Sequence, residues 1–246
     1  MISKAEIKQV KLLHQKKNRE EKQLFIAEGP KVVNELLKSK FLVKEIFATK
    51  EFKVENSKFK VREISEKELI QISALTTPNQ VLSVLEIPVT KLNMESLKQE
   101  LFLALDDIRD PGNLGTIIRI ADWFGIKNII CSESCVDLFN PKVVQATMGS
   151  IARVNVYSCN LETTLSEFKK SIAIYGATID GGNIYSEKLS SCGIILIGNE
   201  SKGISENLLK LVSQKISIPN FSSEAESLNA AIATAVICSE FRRKKS

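Results

Sequence analysis

Short apolar runs alternate with amphipathic stretches along almost the whole chain, and turn residues punctuate them. Ser3-x-x-Glu6 predicts a capping box, and Ile7, Val10 and Leu13 follow at helical spacing. "LFIA" (24–27) reads as a strand, "EGPKVVNELLKS" as a turn and a helix, and "VKEIFAT" as a second strand. Ser65-x-x-Glu68 predicts another capped helix, and the β-branched run "QVLSVLEI" (80–87) another strand. Residues 1–88 are therefore expected to form a small α/β unit. The polar, turn-rich "PVTKLNMESLKQE" reads as a linker over 89–100 that runs into a short helix.

From Leu101 to the end the alternation is strand, helix, strand. Strand candidates are "LFLALD", "KNIICS", "RVNVYS", "SIAIYGAT", "GIILIG" and "QKISIP". Such alternation predicts an α/β fold with a mostly parallel sheet covered on both faces. Ligands of such sheets bind beyond the carboxyl ends of the strands, so chemistry is expected in the loops that follow them.

The bulk properties narrow the classes. The chain has 246 residues, 43% of them apolar, enough for one large domain or two modest ones. No apolar run is long enough to span a bilayer, and "MISKAEIKQV" lacks a signal-peptide core, so a soluble, cytoplasmic protein without membrane association is expected. The five cysteines are odd in number, and Cys131 and Cys135 lack the spacing of a zinc pair; packed, reduced thiols and no metal are expected. The single histidine, His14, lies in a lysine-rich helix, where a solvated face is the simplest role, and this argues against a Ser-His or Cys-His nucleophile. The net charge is +5, and residues 1–96 carry all of it, with 18 Lys+Arg against 13 Asp+Glu. Lys11, Lys16, Lys17 and Arg19 head a basic segment suited to RNA, although a solvated helix face has the same composition.

Three loops stand out. In "LDDIRDPGNLGTIIRIADWFG", Asn113 is placed to cap a helix and Arg119 falls inside the stripe Leu114, Ile117, Ile118, Ala121. A buried guanidinium there needs Asp106, Asp107 or an anionic ligand as partner. In "LIGNESKGIS", Gly198 lets backbone approach closely and Glu200 puts a carboxylate at the sheet edge. In "ISIPNFSSEAESLNAAIATAVICSEF", a polar loop after Pro219 leads to Ser227-Leu228-Asn229 and a helix of small residues suited to close packing. Neither a P-loop nor a G-x-G-x-x-G after the first strand of this half is present, which argues against a P-loop ATPase and an ordinary Rossmann site.

Taken together, "NLGTIIR", "IGNE" and "IP…SLN", in this order, resemble the SpoU (TrmH-like) RNA ribose 2′-O-methyltransferases of the SPOUT superfamily. "KLLHQKKNREEKQLFIAEGPKVVNELL" is similar to the start of that family's L30e-like substrate-binding domain, so the resemblance covers nearly the whole chain. It implies an L30e-like domain over 1–88 and a catalytic domain over 101–246 with a C-terminal deep trefoil knot. It also implies S-adenosylmethionine as cofactor, ribosomal or transfer RNA as substrate with ribosomal RNA favoured, and a homodimer. Residue by residue, Gly198, Ile218, Leu228 and Thr178 would contact the cofactor. Arg119 would lie at the reacting ribose, with Asn113, Glu200, Ser227 and Asn229 shaping the site. Ser201 stands where many relatives have glycine, and "NFSSEAE" lacks the usual glycine, which bears on the conformation of those loops. Two other readings compete: a non-catalytic RNA-binding protein of the same fold, and a SPOUT enzyme that methylates a base.

Overall fold

The computed structural model describes residues 2–54, 59–92, 99–169, 171–222 and 227–243. It divides into two compact units: Met1–Val89 with Asp137–Arg153, and Thr90–Val136 with Val154–Ser246.

The first unit holds helices α1 (Lys4–Leu12), α2 (Lys16–Lys22), α3 (Pro30–Leu37) and α4 (Glu66–Ile72), and strands β1 (Leu24–Glu28), β2 (Val43–Ala48), β3 (Val61–Glu63) and β4 (Val81–Glu86). The sheet order is β1-β4-β2-β3, with β4 antiparallel to β1 and β2, and β3 parallel to β2. Alternation along the strands feeds two cores. Phe25, Ala27, Ile46 and Ala48 point to one, with Val33 and Leu36 of α3, while Ile26 and Phe47 point to the other, with Val10, Leu69 and Ile72. Each such buried side chain contributes about 1.5–3 kcal/mol. Both predicted capping boxes form, at Ser3/Glu6 and Ser65/Glu68. The short β3 was missed because three residues carry no readable alternation.

The first core also takes in Val144 and Ile151, from helix α6 (Pro141–Ala146) and the 3-10 turn Ser150–Ala152. This segment follows the sixth strand in sequence, yet packs with the N-terminal residues. Local periodicity says that α6 has an apolar face, but not which core receives it.

Two sequence expectations are corrected here. Arg19 is not available to RNA: it is 2% exposed, its Nε donates to Asp137 Oδ2 at 3.0 Å, and its Nη1 donates to the Leu13 carbonyl at 2.8 Å. A guanidinium enclosed in this way needs its partners for stability. His14 does not lie on a solvated face; it is half-buried, and its Nε2 lies 3.0 Å from the carbonyl oxygen of Ile72. Lys11, Lys16 and Lys17 are exposed as expected, with Lys16 paired to Glu20 at 3.6 Å.

The second unit holds strands β5 (Leu101–Leu105), β6 (Asn128–Ser132), β7 (Asn155–Cys159), β8 (Ile174–Asn183), β9 (Gly193–Ile197) and β10 (Gln214–Ser217). The sheet order is β10-β8-β9-β5-β6-β7, and every neighbouring pair is parallel. Strands β5 and β9 are buried along their whole length because both faces are covered, as a parallel sheet requires. Helices α5 (Pro111–Trp123) and α9 (Ala230–Arg242) pack on each other, and so do α7 (Leu161–Phe168) and α8 (Glu206–Leu209). Within the linker, the expected short helix falls largely on 93–98, outside the described residues.

Candidate active site

The sheet order sets β10, β8, β9 and β5 side by side, so their carboxyl ends form one edge. Ile218 follows β10, Gly198 follows β9 and Asp106 follows β5. Thr178 reaches the same edge through an irregularity. In the β8–β10 ladder, Lys215 pairs with Gly176 and Ile216 with Gly182, so residues 177–181 of β8 are opposed by none of β10. Ser217 Oγ donates to Ile179 O at 3.1 Å and holds this excursion beside Ile218. Thr178 Oγ1 is closed to solvent and outside hydrogen-bond geometry with any described residue. It still lies near enough to Asp180 to help hold that acid below its usual range, after the larger effect of Lys215.

The loop after β9 is drawn tight. Asn199 and Gly203 exchange backbone bonds, N to O, at 3.0 and 2.8 Å. A Cβ on Gly198 would stand 2.2 Å from the Gly203 carbonyl carbon, so no side chain fits there. Asn199 Oδ1 accepts from the N–H groups of Ser201 and Lys202, and its Nδ2 donates to Asp107 O at 2.9 Å. Asp106, 7% exposed, accepts from the Ser205 N–H at 2.8 Å. The loops after β5 and β9 are thus fastened to each other.

Three predicted site residues converge. Asn113 Nδ2 donates to Glu200 Oε1, and Asn113 Oδ1 accepts from Asn229 Nδ2 at 2.9 Å. Asn113 therefore bridges residues 87 positions ahead and 116 positions ahead in sequence. This leaves it unavailable as a cap, and the expectation that it caps α5 is corrected. The N-cap is Asp110, whose Oδ1 accepts from the Asn113 N–H at 2.8 Å, while Pro111 starts the helix. Asn229 caps α9 through Oδ1, accepting from Ala231 and Ile232 N–H, so one side chain both starts a helix and reaches the bridge.

Arg119 differs from its expected setting. It is exposed, not buried, and it makes no hydrogen bond or ion pair with any described residue. It lies six residues beyond Asn113, about 9 Å along the α5 axis, and hydrogen-bonds none of the bridge residues. The apolar stripe 114, 117, 118, 121 is buried as predicted; position 119 projects from the opposite side of the helix. Ser227 and Leu228 are exposed, Leu228 by 49%, immediately before α9.

Sequence reasoning also missed Asp110, Ser205 and the anchoring role of Asn199. A strand-end aspartate and an Asp-Pro step were the available signals. Asp107 has positive φ (56°), and the Arg109 guanidinium holds its carboxyl below the usual range.

Residues 100–239 match the SpoU rRNA Methylase family, and residues 4–83 match the MRM3-like substrate binding domain. The chain belongs to the SpoU rRNA methylase family. It is 32% identical over 241 residues to the 23S rRNA (guanosine(2553)-2′-O)-methyltransferase RlmP of Bacillus subtilis, covering 96% of this chain and 95% of that one. A solved structure of a TrmH-family protein from Porphyromonas gingivalis superposes with a TM-score of 0.88 at 36% identity, covering 98% of each chain. An AdoMet-bound rRNA methyltransferase from Sinorhizobium meliloti superposes with a TM-score of 0.85 at 29% identity, covering 98% of this chain and 95% of that one. The SpoU protein described here is accordingly an RNA methylase by family, and its Sinorhizobium meliloti neighbour is a structure with AdoMet bound.

The residues at the edge fit that cofactor. A Cβ at Gly198 would meet Gly203, so bare backbone lines the end of β9, and Thr178 Oγ1 is closed off without a hydrogen-bond partner among the described residues; both suit a ligand held through backbone atoms and one hydroxyl.

Proposed function

We propose that this protein methylates a ribose 2′-hydroxyl of ribosomal RNA, with the second unit as catalyst and the first as substrate-binding domain. The observation that carries the reading is the Glu200–Asn113–Asn229 bridge, which fixes three distant loops at one sheet edge on the helix that also carries the exposed Arg119. The 23S rRNA substrate of the Bacillus subtilis relative supports ribosomal over transfer RNA.

Gly198, Ile218, Leu228 and Thr178 hold S-adenosylmethionine, chiefly through backbone atoms. The bound cofactor supplies a methyl group already activated by its positive sulfur, so no covalent protein intermediate is required. The protein's task is to align the ribose oxygen and to ease loss of its proton; alignment of this kind lowers a barrier by up to about 7–11 kcal/mol. A guanidinium offers donors only. Arg119 therefore clamps a phosphate of the substrate and stabilises the developing alkoxide, while the proton leaves to solvent, phosphate or the Glu200 carboxylate. Asn113 and Asn229 keep Glu200 in place, and Ser227 faces the substrate beside them.

The finer architecture follows the family pattern: the catalytic unit carries a deep trefoil knot, the first unit is L30e-like, and two copies pair. Trp123 (85% exposed) and Ile232 (55%), on the mutually packed α5 and α9, supply apolar surface for a second copy.

The test incubates the protein with methyl-labelled S-adenosylmethionine and either ribosomal or transfer RNA, then digests the product with alkali. Alkali-resistant, labelled dinucleotides from ribosomal RNA are expected. Label in free bases would establish the base-methylating alternative, and S-adenosylmethionine binding with no label in any RNA would refute the reading.

A further inference from the structure

Cys135 is the best-connected thiol in the second unit, and the mechanism above does not use it. Its Sγ accepts from the Ile108 N–H at 3.3 Å and donates to the Leu105 carbonyl at 3.3 Å. It thereby spans both ends of the turn that leaves β5. The same turn is pinned by Ser132 Oγ, which accepts from Asp107 N–H at 2.9 Å, and by Val136 N–H, which donates to Ile108 O at 2.9 Å. On its other side the turn presents Asp107 O to Asn199 Nδ2, the contact that fastens the Gly198–Glu200 loop. Only one bond therefore separates the thiol-anchored turn from the Asn199 side chain.

Cys131 stands against Cys135. It is the penultimate residue of β6, is 4% exposed, and pairs across the sheet with Leu105, whose carbonyl Cys135 Sγ reaches. The Ser132–Cys135 turn, closed by Cys135 N–H to Ser132 O at 3.0 Å, brings the two together. Cys135 is half-buried, while Cys131 is enclosed. This is the arrangement of a reactive thiol with a resolving partner.

We propose that Cys135 and Cys131 form a peroxide-sensitive dithiol whose oxidation releases the β5–α5 turn and switches off methyl transfer. The hydrogen bond from Cys131 brings the Cys135 thiol down to about 7, against the opposing effect of its burial, so thiolate is present at neutral pH. Cys131, enclosed and hydrogen-bonded, is pushed well above the usual thiol range and keeps its proton.

In the first step the Cys135 thiolate attacks a hydroperoxide. A sulfur–oxygen bond forms, the peroxide oxygen–oxygen bond breaks, and the leaving alkoxide takes up a proton as an alcohol, or as water from hydrogen peroxide. In the second, the Cys131 sulfur attacks the sulfenic acid. The disulfide forms, and hydroxide leaves with the Cys131 proton as water. Two thiols lose two electrons and the peroxide gains them. The disulfide sulfur is a poor acceptor for Ile108 N–H, a bond that thiol and thiolate both accept, so that anchor of the turn is lost on oxidation. The functional consequence rests on the reading of the site given above; the disulfide chemistry does not.

The experiment treats the full-length protein with hydrogen peroxide, maps disulfide-linked peptides by mass spectrometry, and measures S-adenosylmethionine binding and methyl transfer before and after dithiothreitol. The expected result is a Cys131–Cys135 link, a loss of transfer of about tenfold or more, and recovery on reduction, since misplacing a site by about 1 Å costs up to about 10²-fold. Cys135→Ser and Cys131→Ser, each compared with its own untreated sample, should lose less than about a third of that effect on a logarithmic scale. A link to the half-exposed Cys159 instead, no link at all, a link without loss of transfer, or equal peroxide sensitivity in Cys135→Ser would each overturn the proposal. A protein that binds cofactor and forms the link on treatment, but methylates no RNA even before it, would break the function reading and with it the functional half of this one.

Discussion

The two units each contain an arginine that the sequence singled out, and the pair behave in opposite ways. Arg19, in the first unit, was expected to meet RNA and is enclosed against Asp137 and the Leu13 carbonyl. Arg119, in the second, was expected to be enclosed and is exposed without a partner among the described residues. Arg19 is tied into the fold by its bonds to Asp137 and Leu13, whereas Arg119 is tied to no described residue. The same division extends to other charges. In the first unit Glu6 grips Arg62, which also lies over the Phe47 ring at 5.8 Å, and Glu28 is buried with Ser73 and Ala74 as donors. In the second, the polar groups at the carboxyl edge hold loops and leave a surface open.

The largest effect should come from breaking the enclosed arginine. Arg19→Met removes both bonds to Asp137 and leaves that acid part-buried, which should cost about 3 kcal/mol of stability in urea unfolding; a change under about 0.5 kcal/mol would erase the contrast between the two arginines. Arg119→Ala should behave conversely, lowering the methyl-transfer rate by about 10²–10³-fold, as for loss of a donor to a developing oxyanion, with an unchanged melting midpoint. Gly198→Ala forces a methyl group into space that Gly203 occupies, so the turn must shift; stability should fall by about 1–3 kcal/mol, and calorimetry should register weaker S-adenosylmethionine binding. Replacing Lys11, Lys16 and Lys17 together by Gln should reduce the slope of log affinity against log salt for RNA by about 2–3. An unchanged slope would move the RNA-binding surface elsewhere.

The smallest effect is a dependence on acid. Glu6 and Glu68 complete the two capping boxes, and each is lowered from the usual 4.5 to about 2, Glu6 chiefly by Arg62 and Glu68 chiefly by the Ser65 backbone N–H. A lowered acid stabilises the fold above its unfolded value, and this contribution fades as pH falls through its folded value. The melting midpoint should therefore decline between pH 4.5 and about 2, and less steeply in Glu6→Gln. Equal slopes would show that the box contributes nothing.

Much of the fold was legible from local pattern. Ser3-x-x-Glu6 and Ser65-x-x-Glu68 cap helices because a hydroxyl and a carboxylate three residues apart can satisfy each other's backbone donors without help from elsewhere. The central strands β5, β6 and β9 of the second sheet were readable because strands buried on both faces need near-continuous apolar residues. At the site, Asn113, Glu200 and Asn229 were named from the sequence, but their hydrogen bonds to one another were not, and Asn113 was given the capping role that belongs to Asp110.

The sequence by itself determined most of the segments that become helix or strand, where the excess charge lies, and, through "NLGTIIR", "IGNE" and "IP…SLN", which chemistry to expect. Periodicity and capping act over a few residues, so the chain states them directly. Only the tertiary structure decided that Arg19 is enclosed and Arg119 is exposed, that Asp137–Arg153 completes the first core, and that Asn113 meets partners far along the chain. Those outcomes depend on which surfaces meet after folding, and a guanidinium or an amide looks the same in sequence whether a neighbour closes over it or not.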